Sequence, residues 1–280
     1  MLQRYCVHEH IHQGGFGKIY RGSNRKTGDN VAIKLESPGG TLKNEVYILN
    51  YLHKKKCDNI PPINWYGAVC PYISLVLPYY TCSLEDCLTH QLSTQCAVDY
   101  FHTLLSALQH IHKLFVVHRD IKPANIMLNG SSLVIIDFGL ATFYINSDEK
   151  HVPTTSPPKT HIIGSSKYAS INVHKGYDPV RRDDIISLVY VLTAMLDKSW
   201  NQPPAIDTSS SLEKTNVLHP INMYYRNKKD DLAQFPEYIR PLLENVYSLS
   251  FFEMPDYNTI SVLGQCIVGN SSGLWSRKAT

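Results

Sequence analysis

The sequence carries little charge and almost no imbalance of charge. Of its 280 residues 18% are charged, and 27 Lys and Arg against 24 Asp and Glu leave a formal net charge of +3 at neutral pH. General binders of nucleic acids or membrane surfaces need a clear excess of positive charge. We therefore expect no nucleic-acid partner, and any basic site must be local.

Long apolar runs and paired cysteines are also missing. No apolar stretch reaches the roughly 18 residues that a membrane-spanning helix needs, so we expect no membrane partner. The seven cysteines form no Cys-x-x-Cys pair and follow no secretory leader. These features predict a reduced protein of the cytoplasm or nucleus. The 43% hydrophobic content is enough for one large folded domain or two lobes.

The first part of the chain has β character. The first 35 residues read as three strands joined by a glycine-rich turn and a polar turn, which predicts an antiparallel meander. Apolar residues at helical spacing predict a helix over 41–53, with Glu45 on a face different from that of the apolar residues. Strand character returns over 69–79.

The second part is predicted to be helical. Apolar stripes indicate helices over 94–112, 184–196, 238–249 and 257–268. The 184–196 segment is apolar nearly all round and should lie at the centre of its lobe. Pro236 suits a helix first turn, and Pro241 should bend or delay that helix. Residues 147–160 lack periodicity and predict a long functional loop.

A glycine-rich turn, Gly14-Gly15-Phe16-Gly17-Lys18, lies between the first two predicted strands. Glycine lets a backbone approach phosphate oxygens and offer its N–H groups to them. An ordinary hairpin turn explains the same residues. The turn is followed by Ile19 instead of Ser or Thr, and no helix comes next, which argues against a Walker A loop and against a dinucleotide fold.

Lys34 lies in the apolar run of the third predicted strand. Burying an ammonium group is costly unless anions accept its hydrogen bonds, so a buried Lys34 needs a carboxylate partner and a phosphate. Glu45 is the natural partner. A solvent-facing lysine on an edge strand is the alternative, and Lys43 or water competes for the pairing.

Residues 118–125 read His-Arg-Asp-Ile-Lys-Pro-Ala-Asn and suit phosphoryl transfer. Asp120 can accept or orient the proton of an attacking hydroxyl, Lys122 can neutralise the migrating phosphoryl group, and Asn125 offers an oxygen to a hard cation. Twelve residues further on, Asp137-Phe138-Gly139 follows an apolar strand and can bring a carboxylate to the same Mg²⁺. An Asp-Gly turn is the simpler reading, which the close succession of the two motifs disfavours.

Taken in order, the glycine-rich loop, Val31-Ala32-Ile33-Lys34, His118-Arg119-Asp120 and Asp137-Phe138-Gly139 resemble the signature set of eukaryotic protein kinases. The resemblance spans nearly the whole chain.

Two further segments are similar to one kinase family in particular. Ser170-Ile171-Asn172-Val173-His174 stands where most protein kinases carry Ala-Pro-Glu, and Arg181-Arg182-Asp183-Asp184 follows. Both resemble the casein kinase 1 family, as do Ser83-Leu84-Glu85-Asp86 and Pro255-Asp256-Tyr257.

The resemblance implies an α+β, bilobal protein kinase-like fold with a small β-rich N-lobe that holds one main helix and a larger helical C-lobe. Residues 1–280 would form a single kinase domain. Its parts would be an N-lobe over 1–78, a hinge over 79–82, a C-lobe over 83–270 and a short tail over 271–280.

The resemblance also implies ATP and Mg²⁺ as cofactors and assigns roles to individual residues. Lys34 would hold the α- and β-phosphates and pair with Glu45, and Asp120 would be the catalytic base, assisted by Lys122. Asn125 and Asp137 would bind Mg²⁺. Asp184 would anchor the catalytic loop. The nucleotide site would be lined by Ile11, Gly14, Gly15, Phe16, Gly17, Ile19, Ala32, Lys34, the gatekeeper Leu77, and Tyr79 and Tyr80 of the segment beside adenine.

The sequence departs from the family pattern at three positions. His12 replaces the first glycine of the loop, which puts ATP affinity in question more than the chemistry. Ala124 stands where the family usually has Asp, at a position that is not a catalytic ligand. Pro78 beside the hinge cannot donate a backbone hydrogen bond to adenine.

Lys167 occupies the position of an arginine in the family's anion site. A lysine there would attract phosphate without the bidentate fork of arginine, and a solvated surface lysine is the alternative. The resemblance therefore implies a monomeric Ser/Thr kinase that acts on protein substrates, favours acidic or already phosphorylated sites and is active without phosphorylation of its activation loop.

Two other functions stay open at this point. A pseudokinase that binds or scaffolds partners is supported by His12 and disfavoured by the presence of Lys34, Asp120, Asn125 and Asp137. A small-molecule kinase of the same fold is disfavoured by the two segments similar to casein kinase 1. The alternating His8, His10 and His12 suggest a metal site, but exposed imidazoles on a strand face explain them better, because no Cys or carboxylate accompanies them at zinc-finger spacing.

Overall fold

The computed structural model describes residues 4–14, 17–89, 92–154, 156–201 and 213–271. The chain divides into two compact units. The first comprises Met1–Leu84 and Asn125–Ala141, and the second comprises Glu85–Ala124 and Thr142–Thr280. The second unit is thus made of two stretches of sequence, and the residues between them, Asn125–Ala141, fold with the first unit.

A five-stranded antiparallel sheet in the order β1-β2-β3-β5-β4 forms most of the first unit. Tyr5, Val31, Ile33 and Val76 form a buried cluster on one of its faces. The predicted meander is confirmed. The strands are β1 (Tyr5–Gly14), β2 (Gly17–Asn24), β3 (Asn30–Glu36), β4 (Trp65–Val69) and β5 (Tyr72–Pro78).

One long helix, α1 (Leu42–Lys54), belongs to the first unit. Its apolar residues are buried as predicted, but Glu45 is buried with them, at 1% exposure, so the expectation of a separate face for Glu45 was wrong. The helix begins against the end of β3, where the Glu36 carboxylate accepts the Leu42 N–H at 2.7 Å. This bond satisfies one of the N–H groups that a helix start leaves unpaired.

A second, three-stranded sheet in the order β6-β8-β9 completes the first unit. A 3₁₀ turn, Phe138–Leu140, follows β9 after Asp137. The strands are β6 (Cys82–Ser83), β8 (Ile126–Asn129) and β9 (Ser132–Ile135). The hairpin β8–β9 therefore ends two residues before Asp137, as the apolar run predicted.

Helices dominate the second unit, as predicted. The central helix α5 is buried over almost its entire length, including Asp183 and Asp184. The helices of this unit are α3 (Thr94–Lys113), α4 (Ile171–His174), α5 (Arg181–Leu196), α6 (Pro220–Asp230), α7 (Arg240–Tyr247) and α8 (Tyr257–Ser271). A short helix α2 (Leu84–Cys87) precedes them, and β7 (Val116–Val117) pairs with β10 (Thr142–Phe143).

Three details differ from or refine the predictions for the second unit. The helix predicted over 238–249 begins at Arg240, with Pro241 in its first turn, so Pro236 lies outside it. The helices α4 and α6 were not predicted. In α6 only Asn222, Tyr225 and Lys229 are buried, a set too polar to give an apolar stripe.

The predicted α+β class, with a β-rich first part that holds one main helix and a helical second part, is confirmed. The lobe boundaries at 78, 82 and 270 stay predictions, and residues 272–280 of the expected tail lie outside the described residues. In the part of the chain that the structure describes, no helix is both long and apolar enough to cross a membrane.

The alternating histidines of β1 have different surroundings in the structure. The strand pairing shifts register between Val7 and Glu9 and again between His10 and His12, which breaks a simple alternation. His8 bonds to the Ser23 hydroxyl, and the ring of His10 packs edge-on against Tyr20. The described residues contain no cluster of three or more metal-binding side chains.

Candidate functional site

The first unit brings three predicted site residues into direct contact. The Lys34 ammonium lies 2.9 and 3.0 Å from the two carboxylate oxygens of Glu45 and 2.9 Å from Oδ1 of Asp137. Lys34 comes from β3, Glu45 from α1, and Asp137 from the segment after β9. The expected pairing of Lys34 with Glu45 is therefore present, and the Asp137 contact adds a second carboxylate.

Burial and charge oppose each other in this cluster. Burial alone would lower the pKa of Lys34, but the carboxylates of Glu45 and Asp137 outweigh it and raise that pKa above its ordinary value. Burial raises the pKa of Glu45, and its contact with Lys34 counteracts that rise. We take the cluster as ionic, because two carboxylates at 2.9 Å share a single ammonium.

The backbone places Asp137 with some strain. Its φ of 68° lies in the left-handed region, which is unfavourable for a residue with a side chain. Phe138 is fully buried, and the Glu45 carboxylate accepts a hydrogen bond from the Phe138 backbone N–H. The buried Phe138 ring and this hydrogen bond hold the backbone so that the Asp137 side chain faces Lys34.

Asn125 is buried at the start of the β8–β9 hairpin, and its carbonyl accepts the Ile136 N–H at 2.9 Å. Asn125 and Asp137 offer amide and carboxylate oxygens, which are the ligands that Mg²⁺ prefers. Mg²⁺ usually takes only one or two protein ligands and completes its shell with water and phosphate oxygens. The pair in this unit suits such a cation.

Strand register places four predicted nucleotide-site residues on one face of the first sheet. Ile19 pairs with Lys34, and Ala32 pairs with Leu77. Because Ala32 and Lys34 are two residues apart on β3, their side chains point to the same face, and their cross-strand partners share it. Ile19 and Ala32 are half-buried, and Leu77 is buried.

The remaining predicted nucleotide-site residues lie on or next to strands β1, β2 and β5, or outside the described residues. Gly14 pairs with Gly17, whose φ is 105°, and a Cβ on Gly17 would lie 2.3 Å from the carbonyl oxygen of Leu35. Glycine is therefore required at position 17. Ile11 is exposed, and Tyr79 and Tyr80 are half-buried after the end of β5. Gly15 and Phe16 lie outside the described residues.

The second unit holds a separate polar group around Asp120. The Lys122 ammonium donates to Asp120 Oδ2 at 2.7 Å and to the Ser165 hydroxyl at 2.9 Å. The Ser165 N–H donates to Asp120 Oδ1 at 2.8 Å. Gly164 makes this approach possible, because its φ is 86° and a Cβ there would lie 2.3 Å from the Arg119 carbonyl oxygen.

Asp184 of α5 fixes the segment that carries Asp120. Its carboxylate accepts the backbone N–H groups of His118 at 2.7 Å and Arg119 at 2.8 Å, and it lies 3.0 Å from Nε2 of His112. Burial would raise the pKa of Asp184, but its contacts with His112 and His118 lower it below its usual range. A buried, ionised Asp184 thus anchors the loop, as the resemblance implied.

Lys167 is half-buried beside the ring of Tyr168, with its ammonium 5.4 Å from the ring centroid. Burial lowers the pKa of Lys167, and the nearby Lys228 lowers it further. Glu85 acts in the opposite direction and raises the pKa of Lys167. Lys167 and Lys228 are thus two neighbouring cations with one acidic residue close by.

The segment Ser170–His174, which stands in place of Ala-Pro-Glu, is held by hydrogen bonds. Ser170 caps α4 and donates its hydroxyl hydrogen bond to Asp183, while His174 contacts the Ser166 carbonyl at 3.0 Å. These bonds fix the segment between Ser165 and α5.

Sequence reasoning missed the contact roles of Ser165, Asn44 and Lys229. No contact role was predicted for Ser165, and its position one residue after Gly164 was the available signal. Asn44 precedes Glu45 on α1, where its two hydrogen bonds to the turn after Asp137 gave no sequence signal. Lys229 lies in a polar helix pattern, which hides its burial.

Comparisons with known proteins agree with this geometry. Residues 5–266 match the family model described as protein kinase domain. The chain is also 29% identical over 274 residues to a protein described as a probable casein kinase I homolog from Encephalitozoon cuniculi, covering 94% of this chain and 84% of that protein.

Proposed function

Because the chain belongs to the protein kinase domain family, we propose that it transfers the γ-phosphate of ATP to Ser or Thr hydroxyls of proteins. The observation that carries the proposal is the contact of Lys34 with both Glu45 and Asp137. The two carboxylates keep the Lys34 ammonium charged and fixed on β3, and a fixed positive charge attracts phosphate oxygens.

The residues divide the chemistry between them. Lys34 would hold the α- and β-phosphates, and Asn125 and Asp137 would hold Mg²⁺, which when bound neutralises charge on the phosphate oxygens. Asp120 would orient the acceptor hydroxyl and take its proton. Lys122, which already donates to Asp120, would stabilise the charge on the transferred group.

The first experiment is a peptide-library phosphorylation assay with Mg-ATP. Wild-type protein should phosphorylate Ser or Thr peptides, whereas Asp120→Asn and Asp137→Asn should each lose at least about a hundredfold in kcat, on the scale of removing one key electrostatic group. Asp58→Asn, a change at an exposed carboxylate in the first unit, is the matched control. Absence of phosphotransfer by folded wild-type protein would favour the pseudokinase alternative.

We propose further that acidic or phosphorylated residues near the acceptor improve a substrate. Support comes from Lys167 and its cationic neighbour Lys228, and from the likeness to a casein kinase I homolog. Matched peptides with phosphoserine or alanine three residues before the acceptor test this preference. Equal kcat/KM values for the two peptides would contradict it, and Lys167→Ala should reduce any difference between them.

We propose also that activity does not require phosphorylation of the 137–172 segment. The unmodified chain already forms the Asp120–Lys122–Ser165 contacts and the Asp184 anchor. Protein produced in bacteria and treated with phosphatase should therefore be active. Inactivity that is reversed by a second kinase would contradict this proposal.

A further inference from the structure

Asn44 of α1 makes two hydrogen bonds to the turn that follows Asp137. Its side-chain nitrogen donates to the carbonyl oxygen of Gly139 at 3.0 Å and to that of Ala141 at 2.9 Å. The amide of Asn has two N–H donors, so each carbonyl receives one. The side chain is otherwise exposed and belongs to no buried cluster.

The turn that Asn44 contacts is one that needs external support. Asp137 has a left-handed backbone conformation, which an isolated chain would leave readily. Gly139 lies so close to α1 that a Cβ there would be 2.8 Å from the Thr41 hydroxyl. The turn is therefore held against α1 by contacts from the helix and not by its own conformational preference.

Two neighbouring residues of α1 bind the backbone of this turn, one at an N–H group and the other at carbonyl oxygens. Glu45 accepts the Phe138 N–H, and Asn44 donates to the carbonyls that follow. A leucine at position 44 has no donor, and an aspartate can only accept, so neither can replace the amide. Position 44 therefore requires a side chain that donates hydrogen bonds, and a side chain of similar size without a donor does not suffice.

We propose that Asn44 is a positioning residue that keeps the 137–141 turn in the conformation in which Asp137 contacts Lys34. The proposal rests on the kinase function proposed above and deepens it. In this protein α1 would hold the metal-binding turn directly, so that the arrangement needs no phosphate group elsewhere to maintain it.

The test compares Asn44→Leu with wild type and with Lys43→Leu, a change at the adjacent exposed residue. Two lost hydrogen bonds predict about tenfold lower kcat with little change in the KM for peptide. Hydrogen exchange of the backbone amides at 138–142 should become faster in Asn44→Leu. The Tm should fall by no more than about 5 °C, because the variant loses only these two hydrogen bonds. Asn44→Asp should resemble Asn44→Leu.

The outcomes separate this inference from the proposed function. Wild-type kcat and exchange rates in Asn44→Leu would overturn it, and so would a lower kcat without faster exchange, because the turn would not have moved. The same losses in Lys43→Leu would also overturn it. Complete inactivity of wild-type protein would contradict the kinase function, while the exchange measurement would still support or overturn the role of Asn44.

Discussion

Two lysines, one in each compact unit, are mostly or fully shielded from solvent and have opposite surroundings. Lys34 lies between the carboxylates of Glu45 and Asp137. Lys229 of α6 is fully buried, and its ammonium donates to the carbonyls of Ser166 at 2.8 Å and Ala169 at 2.6 Å. Of the residues described, none places a carboxylate within ion-pair distance of Lys229.

The pKa directions follow from these partners. The carboxylates raise the pKa of Lys34 despite its burial, whereas burial lowers the pKa of Lys229 far below its usual value, with Lys228 and Lys167 adding repulsion. Burial of a lysine thus does not by itself indicate a catalytic role. Carboxylate partners set Lys34 apart as a permanent charge, while Lys229 serves as a hydrogen-bond donor that fixes the Ser166–Ala169 backbone.

Substitution of Lys34 should have the larger effect of the two, and this effect should be on phosphotransfer. If the proposed role holds, Lys34→Met should lower kcat/KM by about a hundredfold or more, because the phosphates would lose their cation. Steady-state kinetics with Mg-ATP measures this loss, and Lys26→Met, at an exposed position of the turn between β2 and β3, is the control. Near-normal activity of Lys34→Met would show that two carboxylate partners do not make a buried lysine catalytic.

Replacing the other lysine should affect stability. Lys229→Met leaves two buried carbonyls without their donor and should cost about 2 kcal/mol of unfolding free energy, or roughly 5 °C in Tm. Chemical and thermal denaturation measure this change, with Lys175→Met at an exposed position as the control. An unchanged Tm would show that Lys229 does not support this segment.

A smaller effect should appear in the pH dependence of stability, through His174 beside Lys229. Burial, and then repulsion from Lys229, lower the pKa of His174 from 6.5 to about 3. The folded state therefore favours neutral His174. Its contribution to stability is complete above pH 6.5 and is lost as the pH falls toward 3, at up to about 1.4 kcal/mol per pH unit.

His174→Gln should flatten this acid limb of the stability curve, as measured by denaturation at pH values from 7 down to about 4. The sign for Lys34 is the reverse. Its raised pKa contributes stability that is present below pH 10.5 and is lost only at more alkaline pH. An identical acid limb in wild type and His174→Gln would contradict the assignment to His174.

The sequence predicted those parts of the molecule whose burial follows an apolar pattern. The meander, α1, α3 and the buried helix α5 were found because their apolar residues recur at the period of a strand or a helix. The need of a buried lysine for a carboxylate led to the Lys34–Glu45 pairing, and the family resemblance led to the Asp184 anchor. Lys34 and Glu45 are only 11 residues apart, on neighbouring elements. Asp184 and His118 are 66 residues apart, and only the family pattern pointed to their contact.

Polar contacts across long sequence separations could not be predicted in the same way. Lys229 reaches Ser166 over 63 residues, and Lys122 reaches Ser165 over 43 residues. Glu45 was assigned to a separate face because a carboxylate counts as polar in a helical pattern, although its ion pair allows it to be buried. Side chains that are buried through hydrogen bonds leave no periodic signal.

The Glu36 carboxylate at the start of α1 has a consequence for how the Lys34 site assembles. Lys34 and Glu45 are 11 residues apart, and the Glu36 bond to the Leu42 N–H closes the chain between them into a still smaller loop. Closing so short a loop loses little conformational entropy compared with joining distant segments. Strand and helix therefore present ammonium and carboxylate to each other at high effective concentration, and the ion pair can form early, before Asp137 arrives from 103 residues away.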